Sequence, residues 1–114
     1  MNAPARLAAE GLDQTGLRER VIAALRTIYD PELPVNIYDL GLIYALDLDA
    51  GGRVDLRMTL TAPGCPVAQS FPAQVEKSVK AVAGVSDAPV EIVWAPRWEP
   101  SRMTEAARLQ LGLV

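Results

Sequence analysis

One residue in this chain combines nucleophilicity with affinity for soft metals: Cys65, the sole cysteine of a sequence that has no histidine. It sits in Thr59-Leu60-Thr61-Ala62-Pro63-Gly64-Cys65-Pro66, between an alternating apolar pattern and a helical one. Proline suits the first helical position, because its fixed φ matches the helix and its missing N–H would have had no partner there. Pro66 at that position makes Cys65 the N-cap, facing free backbone N–H groups and the positive end of the helix dipole. A thiol so placed is biased toward the thiolate, the form that attacks electrophiles and ligates soft metals. Pro63 and Gly64 allow a tight turn and a close approach to the backbone. The competing reading is structural: a small half-buried residue at a strand–helix corner, since free cysteines are among the most buried residue types. Local chemistry leaves both readings open.

The absence of histidine removes the commonest general base and metal ligand. Ser–His–Asp and Cys–His constellations and the usual zinc sites are excluded with it. No dinucleotide-binding, Walker A or EF-hand pattern occurs. What remains is Cys65, carboxylates, hydroxyls and backbone. A second group of interest is Asp30-Pro31-Glu32-Leu33-Pro34. Asp30 before a proline reads as an N-cap opening one short turn, with Glu32 in its first turn. On spacing alone these are a cap and two solvated carboxylates. A role in chemistry requires that they face Cys65.

A length of 114 residues implies one domain. Half of the residues are apolar but only 5% are aromatic, so the expected core is aliphatic. Net charge is −3, which argues against nucleic acid as a partner, because that binding depends on Lys and Arg contacts to phosphate. No apolar run approaches a membrane span. Residues 1–10 contain no apolar signal region. A lone cysteine cannot form an internal disulfide, which fits a reducing, cytoplasmic location.

The elements that must position these residues follow from periodicity. Residues 1–14 read as a flexible N-terminal tail. Residues 15–114 form the folded domain. Thr15 caps a helix carrying Leu17, Val21, Ala24, Leu25 and Ile28, which should stop near Tyr29 because Pro31 disfavours helix at Asp30. Residues 35–41 form an irregular connection. Residues 42–49 alternate, with Leu42, Tyr44, Leu46 and Leu48 on one face and Ile43, Ala45 and Asp47 on the other. Ala50-Gly51-Gly52-Arg53 signals a hairpin, and residues 54–61 alternate again. A second helix follows Cys65, carrying Phe71, Val75 and Val79, with Pro72 either kinking it or dividing it in two. Gly84 ends it, and residues 90–94 give a third strand. Trp94 and Trp98 read as anchors of an extended, proline-rich segment, the alternative being an exposed recognition surface. Ser101 then caps a final short helix. The predicted fold class is α/β of the α+β kind, in the order α-β-β-α-β-α. A small mixed three-stranded sheet carries helices packed on one face.

Four segments in this order resemble one family. They are Asp30-Pro31-Glu32-Leu33, Asp39-Leu40-Gly41-Leu42-Ile43-Tyr44, Thr59 through Pro66, and Trp98-Glu99-Pro100-Ser101-Arg102-Met103-Thr104. They resemble the SufT-type iron–sulfur cluster assembly proteins, a family that includes PaaD-like proteins and the N-terminal domain of Mrp-type cluster carriers. The resemblance implies a fold similar to the C-terminal domain of NifU, and maturation of iron–sulfur proteins in the SUF system. It implies no enzymatic activity. It places Asp30, Glu32, Thr61 and Cys65 at one surface site, supported by Gly64. Relatives often have threonine where this chain has Ala62, so no hydroxyl is expected from that position. The cysteine-rich extension of PaaD-like relatives and the P-loop domain of the Mrp-type carriers are not expected here.

Iron–sulfur clusters are usually held by four thiolates, and this chain has one. The expected cargo is therefore a transient cluster bound through Cys65 and completed by a second subunit, a client or a small thiol. Asp30 and Glu32 are candidate hard oxygen ligands, and Thr61 a hydrogen-bond donor. The expected partners are iron–sulfur assembly proteins and client apo-proteins, a homodimer being one expected form. Trp98 and Met103 are candidates for a partner surface. The alternatives are a metal-free adaptor docking through the Cys65 loop and the Trp98 segment, and a PaaD-like accessory protein of an oxygenase.

Overall fold

The computed structural model describes residues 16–30, 33–61 and 67–112. Residues 16–25 form helix α1. Leu17, Val21 and Leu25 are buried on one stripe, while Arg18, Glu19 and Arg20 are exposed. The helix stops earlier than its pattern predicts. Thr27 and Ile28 donate to the carbonyls of Ala24 and Leu25 at 3.1 and 3.2 Å, the tighter spacing of a 3₁₀ turn. The chain is extended at Tyr29, which bridges Asn36. The expected tail and the cap at Thr15 lie outside the described residues.

Strands β1 (Ile43–Leu48) and β2 (Val54–Met58) form an antiparallel hairpin. The Asp49 carboxylate closes its turn by accepting from the N–H groups of Gly51 and Arg53, both at 2.9 Å. Gly52 has φ +87°, and a Cβ there would run into the Gly84 carbonyl, so only glycine fits. Helix α2 (Val67–Lys80) then crosses over to β3 (Val90–Ile92), which pairs parallel to β2. Pro72 lies inside α2, which is one continuous helix rather than two pieces. The sheet order is β1-β2-β3, so β2 is central and the sheet is mixed. A 3₁₀ turn at Pro100–Arg102 precedes helix α3 (Glu105–Gln110). The cap of α3 is Thr104, whose Oγ1 accepts from the Ala107 N–H at 3.2 Å. Ser101 lies in the 3₁₀ turn instead, because Met103 and Thr104 are extended and separate the two. The observed order α-β-β-α-β-α is the one that periodicity predicts.

Burial follows the strand pleat. Val54, Leu56 and Met58 point inward and are essentially inaccessible, whereas Asp55 and Arg57 are exposed. Val21, Leu25, Phe71, Val75, Val79 and Ala107 of the three helices join this inner face in one aliphatic core. Each buried Leu, Val or Phe side chain contributes about 1.5–3 kcal/mol relative to exposure. The opposite face carries Asp47, Asp55, Arg57 and Glu91 in solvent. β1 departs from its predicted alternation. The register steps from Ile43↔Met58 to Ala45↔Arg57, two residues against one, so Tyr44 is a bulge. The bulge brings Ile43 against the core beside fully buried Leu42, rather than onto the wet face. It also turns Tyr44 toward the segment that follows β3, where its hydroxyl finds the Pro96 carbonyl.

Candidate functional site

The site region is built on the connection from Asp30 to Leu42. Asp30 is 6% exposed, and its Oδ2 accepts from the Leu33 N–H at 2.8 Å, the bond expected of an N-cap three residues before the donor. Its own N–H donates to the Val35 carbonyl at 3.2 Å. The next turn is closed by Asn36, whose Oδ1 accepts from the Asp39 N–H while its Nδ2 donates to Asp39 Oδ2, both at 2.8 Å. Arg26 lies 3.7 Å from the Asp39 carboxylate and 4.9 Å over the Tyr38 ring. Val35, Ile37, Leu40 and Leu42 are fully buried along this stretch. A segment without regular structure is thereby fixed, because its polar groups are paired locally and its apolar ones enter the core.

Two other segments hang on that connection. Thr59 donates its N–H to the Leu42 carbonyl at 2.9 Å, which carries the chain out of β2 toward Thr61. On the other side, the segment after β3 is strapped down at successive points. Tyr44 Oη donates to the Pro96 carbonyl at 2.8 Å, Trp98 Nε1 to the Leu40 carbonyl at 2.7 Å, and the Thr104 N–H to the Asp39 carbonyl at 2.9 Å. The Arg102 guanidinium sits 4.7 Å over the Tyr44 ring. Gly41, at φ +80°, lets the backbone of Arg102 approach where any Cβ would collide with its carbonyl.

Between these segments lies an open recess of about 300 Å³, lined by Thr59, Leu60, Thr61, Trp94, Arg97 and Trp98. Thr59 to Thr61 follow β2 and Trp94 follows β3, so the recess sits at the carboxyl ends of a parallel pair. That is where α/β sheets commonly place ligands, because the loops diverge there. Trp98 is half-buried and packed on the core, as an anchor should be. Trp94 is not an anchor: β3 ends at Ile92, and Trp94, which lines the recess, stays 48% exposed. Arg97 is exposed beside it, and among the described residues no carboxylate pairs with its guanidinium.

Of the residues singled out by the sequence, Thr61 and Trp98 are brought together in this recess. Asp30 is not among its lining residues and is engaged in its turn. Met103, expected on a partner surface, is 5% exposed and belongs to the core, because the extended backbone between the last two helical turns directs it inward. Glu32, Gly64 and Cys65 lie outside the described residues, as does the expected N-cap geometry at Pro66. Among the described residues no group of three or more Cys, Asp or Glu side chains is arranged to hold a metal ion. Sequence reasoning misses Arg97 and Thr59 as lining residues and reads Trp94 as an anchor. The signal available for them is an arginine set between two tryptophans in a proline-rich stretch.

Comparison with known proteins places this geometry. Residues 18–92 match the family described as iron–sulfur cluster assembly protein. The chain is 46% identical over 96 residues to the Fe–S protein maturation auxiliary factor of Porphyromonas gingivalis, covering 84% of this chain and 91% of that one. It is 36% identical over 86 residues to the Fe–S protein maturation auxiliary factor SufT of Staphylococcus aureus, covering 75% of this chain and 98% of the relative. The crystal structure of a domain of unknown function from Bacillus anthracis superposes with a TM-score of 0.80 at 33% identity. That match covers 91% of this chain and 99% of the other.

Proposed function

From the premise that this chain belongs to the iron–sulfur cluster assembly protein family, we propose that it is a maturation factor of the SUF system that hands clusters to client apo-proteins through Cys65. The observation that carries this reading is the place of the chain's only thiol in the sequence. Cys65 follows Thr61 closely in sequence, and Thr61 lines the recess at the carboxyl ends of β2 and β3. The cluster is cargo. A cluster usually takes four thiolates, so one chain holds it by one sulfur, and a second copy, a client or a small thiol completes its coordination. Shared coordination of this kind favours release, because the remaining ligands are exchanged for those of the client. Glu32 and Asp30 act as oxygen ligands or order the loop, Gly64 allows the loop's turn, and Thr61 donates to sulfur. No catalytic turnover is required of the chain. The partners are assembly proteins and client apo-proteins in the cytoplasm. Among the described residues no helix is long and apolar enough to cross a membrane.

A metal-free adaptor is the second reading, favoured by Trp94, an exposed tryptophan that lines the recess. Anaerobic reconstitution separates the two. The carrier reading expects iron and sulfide to bind with an absorption band that Cys65→Ser abolishes, and expects the same variant to lower the maturation of client enzymes in cells. Client maturation unchanged by Cys65→Ser would sink the carrier reading and leave the adaptor.

A further inference from the structure

We infer that the recess at the end of β2 and β3 is a binding site for the carboxylate of a small thiol, a ligand that would complete the coordination left open by a single cysteine. The thiol part of this inference rests on the carrier reading; the carboxylate part rests on the recess alone. Among the described residues, its lining offers one cation, two indoles, two hydroxyls and no acid. The chain as a whole has 14 acidic against 11 basic residues, so an uncompensated guanidinium goes against the average field of the molecule. The other arginines nearby are occupied: Arg102 lies over Tyr44, and Arg26 pairs with Asp39. Arg97 has no such partner among the described residues, and its planar fork matches a carboxylate. Trp98 is held by its bond to the Leu40 carbonyl, so one wall is ordered before any ligand arrives. Trp94 lines the recess and stays about half exposed, so its indole is available to pack on the apolar body of a ligand. A volume of about 300 Å³ is at the small end of ligand pockets, and it suits a short peptide-like thiol or part of one rather than a nucleotide cofactor.

Both tryptophans of the chain line this recess, so intrinsic fluorescence reports on its occupancy without a label. Cluster-free protein is titrated with reduced glutathione, with S-methylglutathione and with glutarate. The inference expects saturable fluorescence changes with glutathione and its S-methyl derivative at similar affinity, and much weaker binding of glutarate. Arg97→Glu should weaken binding by about tenfold or more, the equivalent of one charge-assisted hydrogen bond, with Arg97→Lys between the two. Arg97 is exposed and makes no hydrogen bond or ion pair among the described residues, so circular dichroism should show both variants folded. No saturation by glutathione, or equal binding in Arg97→Glu, overturns the site. Equal affinity for glutarate identifies a general carboxylate site and overturns the assignment to a thiol. Because no iron is present, failure here leaves Cys65-dependent reconstitution standing. Failure of reconstitution alongside normal glutathione binding overturns the carrier reading and the ligand's proposed role, while the site itself remains.

Discussion

The outer face of the sheet and the recess at its end are made from the same two strands, yet they treat charge in opposite ways. On the outer face, cations are answered by anions. Arg57 lies 3.4 Å from Glu91, and Arg53 lies 3.2 Å from Asp55 and 3.6 Å from Asp87. The hydrogen bond to Asp55, with that carboxylate's charge and those of Asp87 and Asp49, holds the Arg53 guanidinium above its ordinary pKa. At the carboxyl ends of β2 and β3, an arginine stands beside two indoles with no described acid to answer it. The first pattern is what a solvated face needs. It cancels fields locally and contributes little to stability, because water screens each pair and two long side chains must be ordered to form it. The second pattern leaves a field pointing outward and an apolar surface uncovered, and neither helps folding. The exposed residues to examine for function are therefore those whose charge and apolar area the fold leaves unused.

Three substitutions test this contrast, in decreasing order of damage. Gly41→Ala should be the most severe. It forces a side chain into a positive-φ position, at a cost of about 1–3 kcal/mol from the backbone conformation alone, and the collision with the Arg102 carbonyl adds to it. Urea unfolding should show that loss, and a red-shifted tryptophan emission should show the strap lifting off. Trp98→Phe comes next. It removes the Nε1 donor and leaves the Leu40 carbonyl unpaired, which should cost about 1–3 kcal/mol and loosen the recess wall. Thermal unfolding, together with the mobility of the Trp94 ring by time-resolved anisotropy, is the check. Arg57→Ala should cost least, about 0.2–1 kcal/mol, and that difference should shrink further in high salt. If Arg57→Ala proves as costly as Trp98→Phe, the outer face is structural rather than merely solvated, and the contrast fails.

Much of the fold is legible in local patterns. The strict alternation of Val54 to Met58, the stripe of Phe71, Val75 and Val79, and the Gly-Gly turn each report local geometry, and the structure places all three as expected. The failures share a cause. A period of two puts Ile43 on the wet face because it admits no bulge at Tyr44, and that bulge exists only in relation to β2. Met103 and Trp94 exchange their expected roles, the methionine becoming core and the tryptophan remaining exposed, because burial depends on which distant residues come near. Asp30 is read correctly as a cap, since its bond to Leu33 is local. Its relation to Cys65 is not a local property, so spacing cannot supply it.

The order of elements, the aliphatic core, the exclusion of histidine chemistry and the restriction of thiolate chemistry to one residue all follow from the amino-acid sequence without the fold. Periodicity and composition act over a few residues, so they hold whatever the distant contacts are. The pinning of Trp98 to Leu40, and the meeting of Trp94 and Arg97 with Thr59 and Thr61, belong to the assembled structure. Those residues are far apart in the chain. Their meeting depends on β3 adding parallel to β2 and on Gly41 admitting the strap, and both are long-range contacts that no local pattern encodes.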